Sequence, residues 1–271
     1  MPADVYDGKR AQVVVDSPEG NYCLSAPWAV AADGFHSVCR AALGFELEWS
    51  DYGTDSAVAD FEMTYPLPEN RSNIVLDPRR PYGLFAFAPG RWRFIYRIND
   101  GEDRTRMTSE DIVRRLVTEL LPQARVTRFL WASAFRLGQG HARSYRKGRW
   151  ILAGDAAHAM GPSAGAGMMI GLLGAWRLGP QLAAALNRPP RADESLKIYQ
   201  HLQHAAATRA QKDNAFLFRQ IALRNPVLAA VRTVGLSLAG RIPKIGESIA
   251  RSTALLNHPS PLSEIPTLHQ I

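Results

Sequence analysis

A chain of 271 residues, 46% hydrophobic and 21% charged, has ample apolar surface for a core and reads as one domain or two intimately packed ones. The formal charge of +7 comes from arginines scattered along the chain, not gathered in a block with interleaved aromatics, so no nucleic-acid face is expected. Cys23 and Cys39 form no metal or redox motif, no run suits a membrane span and no signal peptide is recognisable, so a cytoplasmic protein with reduced thiols and no metal is expected.

The chain opens with Val5-Tyr6-Asp7-Gly8, then Ala11 to Val15, a turn at Ser17-Pro18-Glu19-Gly20-Asn21 and Tyr22 to Leu24, a pattern that predicts a β-hairpin. From Trp28 a strand runs into the turn Asp33-Gly34 and a helix start, with Ser37 placed to cap it. Val58 to Tyr65 alternates Asp60, Glu62 and Thr64 with Phe61, Met63 and Tyr65, which predicts a strand with one face buried. Tyr82 to Phe87, the turn Ala88-Pro89-Gly90 and Trp92 to Ile98 predict a second hairpin. Thr108-Ser109-Glu110-Asp111 has capping-box spacing before the stripe Ile112, Val113, Leu116, Val117 and Leu120, and Val126 to Ala134 returns as a strand.

Phe61, Met63, Phe85, Phe87, Trp92, Phe94 and Tyr96 could line an aromatic-accepting cavity, although aromatics at strand spacing are more often ordinary core. Arg97 and Arg136 are candidate anchors for an acidic phenol. No residue reads as a catalytic acid or base.

The most informative stretch follows. Arg149 to Ala153 is a short apolar strand that ends at Gly154-Asp155-Ala156-Ala157-His158. Asp155 is a fixed acceptor suited to sugar or ribityl hydroxyls, and Gly165 and Gly167 let backbone approach a ligand with no Cβ between. From Ala166 a helical spacing runs through Met168, Met169, Leu172, Leu173, Trp176, Leu178 and Leu182 to Asn187. The free N–H groups at its start favour an electron-rich or anionic group. His158 reads as a structural residue beside the turn, and the two methionines as packing on the helix face.

Three more helices are predicted, Glu194 to Leu223, Pro226 to Gly240 and Ile245 to Leu256, before a Pro-rich tail. Arg232, Arg241, Lys244 and Arg251 beside apolar residues suggest either a membrane-surface helix or, as the expected case, helices packed back on the body of the protein, with an apolar face that could serve a homodimer.

Gly154 to Leu182 resembles the second flavin-binding motif of the FAD-dependent aromatic hydroxylases, the p-hydroxybenzoate hydroxylase-like monooxygenases. The resemblance implies that Asp155, after Gly154, holds the ribityl chain, and that Pro162 and the backbone of Gly165, Ala166, Gly167 and Met168 lie against the isoalloxazine near its N1 and C2 carbonyl. The chain departs from the family at Met169, where an asparagine is usual, and at Gly174, where an aspartate is frequent. Asp33, Gly34, Ser37 and Arg40 stand at the spacing of the family's Asp-Gly motif, which implies a place near the FAD pyrophosphate, a link to NAD(P)H, and a planar cation at Arg40 for phosphate oxygens.

The fold expected from this resemblance is α+β, derived from α/β: the C-terminal portion of a flavin monooxygenase fold. It has a partial FAD-binding domain over 1–50 and 140–256 with C-terminal helices, a β-sheet substrate domain over 51–139 that roofs the isoalloxazine, and an irregular tail over 257–271. The family's opening GxGxxG strand-turn-helix is missing from this sequence, so the chain alone is expected to hold the adenine half of FAD weakly. A fragment or mis-started reading frame, a split enzyme completed by a separate polypeptide, and a remnant without catalysis all remain open.

The implied reaction is hydroxylation of a small aromatic or polyketide-like substrate with FAD as cofactor and NAD(P)H as reductant. Two other classes stay open: a flavin-dependent dehydrogenase or reductase that inserts no oxygen, and a non-catalytic subunit or relic that binds a partner.

Overall fold

The computed structural model describes residues 10–66, 68–69, 73–162, 165–242 and 244. Val5 to Gly8, the third expected C-terminal helix, Arg251 and the tail lie outside the described residues.

The described chain divides into two compact units. One takes the chain up to Ser50 and Gln139–Ala215; the other takes Asp51–Gly138 and the chain from Phe216 through the last described helix.

In the first unit, β1 (Ala11–Val15) and β2 (Tyr22–Ala26) form the expected antiparallel hairpin, with Val13 opposite Leu24. β3 (Ala29–Ala31) leads through the Asp33-Gly34 turn to the short helix α1 (Val38–Ala42), where Ser37 caps by accepting from Arg40 N at 2.9 Å. β3 belongs to a three-stranded sheet of order β3-β10-β9, with β9 at Arg146–Lys147 and β10 at Trp150–Leu152. Trp28, just before β3, lies between the guanidinium groups of Arg146 and Arg149, at 4.9 and 4.6 Å from its ring. Helix α4 (Ala166–Asn187) and the first part of α5 (Ala192–Ile221) complete this unit, whose core joins Ile151, Leu152, Leu178, Leu196 and Tyr199.

The second unit is built on a six-stranded sheet of order β11-β8-β4-β7-β6-β5. Its strands are β4 (Leu47–Thr64), β5 (Asn73–Val75), β6 (Tyr82–Ala88), β7 (Arg91–Ile98) and β8 (Arg125–Ala142), with the two-residue β11 (His158–Ala159) paired to the end of β8 that lies in the first unit. β4 and β7 run antiparallel with Ala59 opposite Phe94. After the single turn α2 (Arg104–Met107), α3 (Glu110–Leu120) buries Val113, Leu116 and Val117 against Phe61, Trp92, Phe94 and Tyr96. Each such side chain stabilises the fold by roughly 1.5–3 kcal/mol.

Phe61, Met63, Trp92, Phe94 and Tyr96 are closed core beneath α3, the commoner reading of aromatics at strand spacing; Phe85 is half-buried and Phe87 is exposed, with the Arg93 guanidinium 5.6 Å from its ring. The polar face of β4 is not uniformly solvated: Asp60 is 4% exposed, accepts two hydrogen bonds from Arg93 at 2.8 Å and one from Trp131 Nε1 at 2.9 Å. Ser109 begins α3 but its hydroxyl donates back to Arg106 O at 2.8 Å, because α2 immediately precedes it, so no capping-box bond forms.

The C-terminal helices also differ from expectation. The end of α5 and all of α6 (Pro226–Gly240) fall in the sheet unit. Phe218 stacks on Tyr52 at 4.7 Å, and Arg232 donates to Leu76 O and Gln220 O at 2.7 and 2.6 Å, which fastens them there. Among the described residues no single helix is long and apolar enough to cross a membrane, and no cluster of three or more His, Cys, Asp or Glu could hold a metal.

Candidate functional site: a turn between parallel strands and a glycine-started helix

β3 and β10 are parallel partners, with Ala29, Val30 and Ala31 opposite Trp150, Ile151 and Leu152. The ladder extends to Ala153 N, which donates to Ala31 O at 2.9 Å. Both strands therefore release the chain at the same edge, β3 into Asp33-Gly34 and β10 into Gly154-Asp155. The carboxyl ends of parallel strands are where α/β sheets bind ligands.

At the β10 exit, Gly154 takes φ 59° and opens a 3₁₀ turn, Gly154–Ala156. A Cβ added at Gly154 would meet nothing within 4 Å, so the left-handed backbone, not crowding, requires glycine there. Asp155 is exposed as a residue, and among the described residues its carboxylate has no hydrogen-bond or ion-pair partner. Partial burial with no compensating donor raises its pKa above the usual carboxylate value.

Helix α4 begins across from this turn. Its N-cap is Gly165, at φ 66° and ψ 16°, and no side chain caps it. Among the described residues, the first-turn N–H groups of Ala166, Gly167 and Met168 thus have no side-chain acceptor. Gly165 N donates to Pro162 O at 3.2 Å, closing the loop before the helix, and both residues are exposed. Further along, a Cβ at Gly171 would sit 3.7 Å from Gly154 Cα, so α4 passes close over the turn. The structure thus brings Gly154, Asp155 and the start of α4 onto one part of the first unit. The side chain of Ala166 faces the core, while Met168 is 71% exposed and Met169 is also exposed, which corrects their reading as packing residues.

The Asp-Gly motif is held in a different way from the expected one. Asp33 accepts from Ser37 Oγ at 2.5 Å and from Cys39 N at 3.0 Å. Burial raises its pKa, but these bonds outweigh it and hold the carboxyl below its ordinary value. Gly34 takes φ 82°. Arg40 donates from Nη1 to Ala156 O at 3.1 Å and from Nη2 to Phe35 O at 2.7 Å. Its fork braces the two turns against each other, two of its five N–H donors being taken by backbone carbonyls.

The proposed phenol anchors are likewise engaged. Arg97 is 5% exposed and donates to Pro78 O and Arg79 O at 2.7 Å and to Asn99 Oδ1 at 3.0 Å; burial lowers its pKa. Arg136 pairs with Asp51 at 3.0 Å and Asp55 at 3.5 Å.

Behind the turn lies a buried polar layer that sequence reasoning missed. Tyr199 OH donates to Leu152 O at 2.9 Å, pinning the end of β10 to α5. His158 is fully buried, and burial pulls its pKa down to about 4. Gln203 meets it there and in turn accepts from Arg177. Arg177 was the available signal: it is the single charged residue in the 22-residue sequence of α4.

The FAD binding domain family model matches residues 4–214. The chain belongs to that family of FAD-binding domains. It is 31% identical over 235 residues to the 3-(3-hydroxy-phenyl)propionate/3-hydroxycinnamic acid hydroxylase of Mycolicibacterium gilvum, covering 86% of this chain and 41% of the relative. It is 31% identical to the 6-methylpretetramide 4-monooxygenase of Streptomyces rimosus over 85% of this chain and 40% of that one. Among solved structures, the anhydrotetracycline hydroxylase OxyS from Streptomyces rimosus superposes with a TM-score of 0.71 at 25% identity, over 94% of this chain and 51% of that chain. The p-nitrophenol 4-monooxygenase PnpA from Pseudomonas putida superposes with a TM-score of 0.75 at 24% identity, over 92% of this chain and 64% of that one, a likeness of fold. The chain thus spans well under half the length of the curated relatives it matches, and its mixed helix-and-sheet fold is that of the FAD-dependent hydroxylases.

The residues present fit the ring side of FAD. Among the described residues, a carboxylate without a partner at Asp155, open space at Gly154 and Gly165 where a Cβ would stand, and N–H groups without a side-chain cap at the start of α4 supply an acceptor for hydroxyls and donors for a carbonyl or anionic ring edge.

Proposed function

We propose that this chain carries the ring-side part of the FAD site of a monooxygenase that hydroxylates an aromatic or polyketide-like small molecule, with NAD(P)H as reductant. The observation that carries the reading is the carboxylate of Asp155, without a partner among the described residues, beside the glycine-started helix α4 at the exit of two parallel strands. The hydroxylases and monooxygenases among its relatives support the reaction class.

In this reading Asp155 accepts hydrogen bonds from ribityl hydroxyls, and Pro162 and the backbone of Gly165 to Met168 lie against the ring. The N–H groups of Ala166, Gly167 and Met168, with the positive end of the α4 dipole, favour negative charge at the N1 and C2 carbonyl edge. FAD, when bound, supplies the reduction of oxygen and the transfer of one oxygen atom to the substrate ring. Arg40, Asp33 and Gly34 shape the neighbouring turn, and residues 51–139 form the substrate domain.

A form completed by a further polypeptide segment is favoured by one observation. Met168, Leu172 and Trp176 recur along one side of α4 and are all exposed, an apolar face that soluble monomers seldom leave open.

The test is FAD titration of the purified chain, alone and with the polypeptide encoded just upstream, followed by NAD(P)H oxidation with product analysis. Bound flavin and a hydroxylated product support the proposal. NAD(P)H consumption with no oxygen in any product assigns a reductase, and no flavin in either form assigns a non-catalytic subunit.

A further inference from the structure

We propose that Gln203 is a positioning residue that locks the Gly154–His158 turn to helix α4 through a single amide, in a gap that exists because residue 174 is glycine. The inference rests on the flavin reading for its functional meaning, but its geometry stands on the chain itself.

Gln203 is fully buried on α5. Its Nε2 donates to Ile170 O at 2.9 Å and lies 2.9 Å from His158 Nε2, while its Oε1 accepts from Arg177 Nη1 at 2.9 Å. The partners fix which end of the amide is which. A backbone carbonyl only accepts and a guanidinium only donates, so the nitrogen faces Ile170 and the oxygen faces Arg177. With one N–H on Ile170 O, the other points at His158 Nε2, which must therefore accept. The His158 proton sits on Nδ1, an atom with no protein partner in its buried position. Burial keeps the ring neutral at physiological pH.

Three elements are joined this way: α5, which carries Gln203; α4, at its second turn through Ile170 and its fourth through Arg177; and the Gly154 turn, through His158 at its end. The gap is tight. A Cβ at position 174 would stand 2.8 Å from Gln203 Nε2 and 2.9 Å from its Cδ, and a buried side chain with three partners has nowhere to retreat. Gly174 is one of the positions at which this chain departs from the family resemblance, and here a glutamine amide lies against the bare helix backbone. Gln203 thus sets the separation between Asp155 and the N–H groups of Ala166 to Met168 without touching either.

The experiment is ¹⁵N NMR of the His158 ring and backbone hydrogen exchange on the whole chain, for the parent, Gln203→Glu and Gly174→Ala. Gln203→Glu keeps the shape and reverses the polarity. It is expected to move the His158 proton from Nδ1 to Nε2 and to speed exchange of the Gly154–Ala156 turn and the first turn of α4 by about tenfold, the loss of one net hydrogen bond. Exchange in β6 and β7 stays unchanged. Gly174→Ala is expected to do the same by displacing the amide, although helix propensity alone favours alanine. FAD affinity falls about tenfold in both.

An unchanged His158 tautomer in Gln203→Glu, or faster exchange spread equally over both units, overturns the proposal. If Gln203→Glu does not fold, Gly174→Ala decides on the same readouts. If FAD binds neither to the chain alone nor to the chain completed by the upstream polypeptide, the flavin reading falls while the tautomer and exchange data still decide the role of Gln203.

Discussion

Arg40 donates to the backbone carbonyl of Ala156, 116 residues away in sequence, at 3.1 Å. With its second bond to Phe35 O, one guanidinium closes the Asp-Gly turn onto the turn that carries Asp155. The two motifs read separately from the sequence are thus one structural object, held by a planar fork that a point charge cannot imitate.

Arg40→Met is expected to destabilise the chain by about 2–3 kcal/mol, the loss of two charge-assisted bonds discounted for partial exposure. Arg40→Lys should recover less than half, because one ammonium cannot reach both carbonyls in line. Denaturant unfolding of both variants checks this; full stability in the lysine variant rules out the bracing role.

Asp155 carries a raised pKa and no partner, so its ionised form is disfavoured in the free chain. The sign follows: a folded pKa above the unfolded one costs stability as pH rises above the unfolded value of 3.8, most fully at neutral pH. Asp155→Asn is therefore expected to raise the melting temperature of the flavin-free chain at pH 7. Asp155→Ala is expected to weaken FAD binding about tenfold in the completed enzyme, the loss of a bond to a charged acceptor. Thermal scans and flavin-fluorescence titration read the two effects, and an unchanged dissociation constant removes Asp155 from the site.

His158 is held neutral by burial, with its pKa moved from 6.5 down to about 4. Its neighbours His141 and His204 are shifted the same way, each chiefly by burial. A depressed histidine pKa means that stability is present above the unfolded value and is lost as pH falls from 6.5 towards 4. His158 alone accounts for about 3 kcal/mol of that loss. Unfolding free energies measured across this window should slope downward, and a flat profile contradicts the buried neutral ring.

Asp60 is buried under Arg93 and Trp131 in the sheet unit, its carboxylate taken up by three internal hydrogen bonds. Asp60→Ala is expected to cost about 2 kcal/mol, less than a wholly buried pair because the Arg93 side chain is 43% exposed. FAD affinity should remain within about twofold of the parent, since the loss is one of stability alone. Calorimetry beside a flavin titration separates the two effects.

Much of the site was legible because its signals are local. Glycines at 154 and 165 mark left-handed backbone, and Ser37 marks a cap; each was readable from two or three neighbouring residues. The roles of Arg40, Arg97 and Arg136 were not legible. An arginine in sequence announces a charge, but its acceptors here are carbonyls and carboxylates brought up by other elements, so an expected ligand contact became internal bracing. The alternating strand at Asp60 failed for a related reason: a pattern of two distinguishes the faces of a sheet but not whether the polar face is covered. Gln203 was invisible because its importance depends on a gap at a residue on another helix.

The parallel pairing of β3 with β10 also dictates when the site can come into being. Ala29 must find Trp150 across a loop of roughly 120 residues, an entropic closure that local hairpins such as β6 with β7 never face. The first segment of the sheet unit, Asp51 to Gly138, lies wholly between those strands in sequence. Pulse-labelled refolding is therefore expected to protect β6 and β7 first and Ala31 to Ala153 last. A newly made chain would complete its sheet before it owns a place for a cofactor.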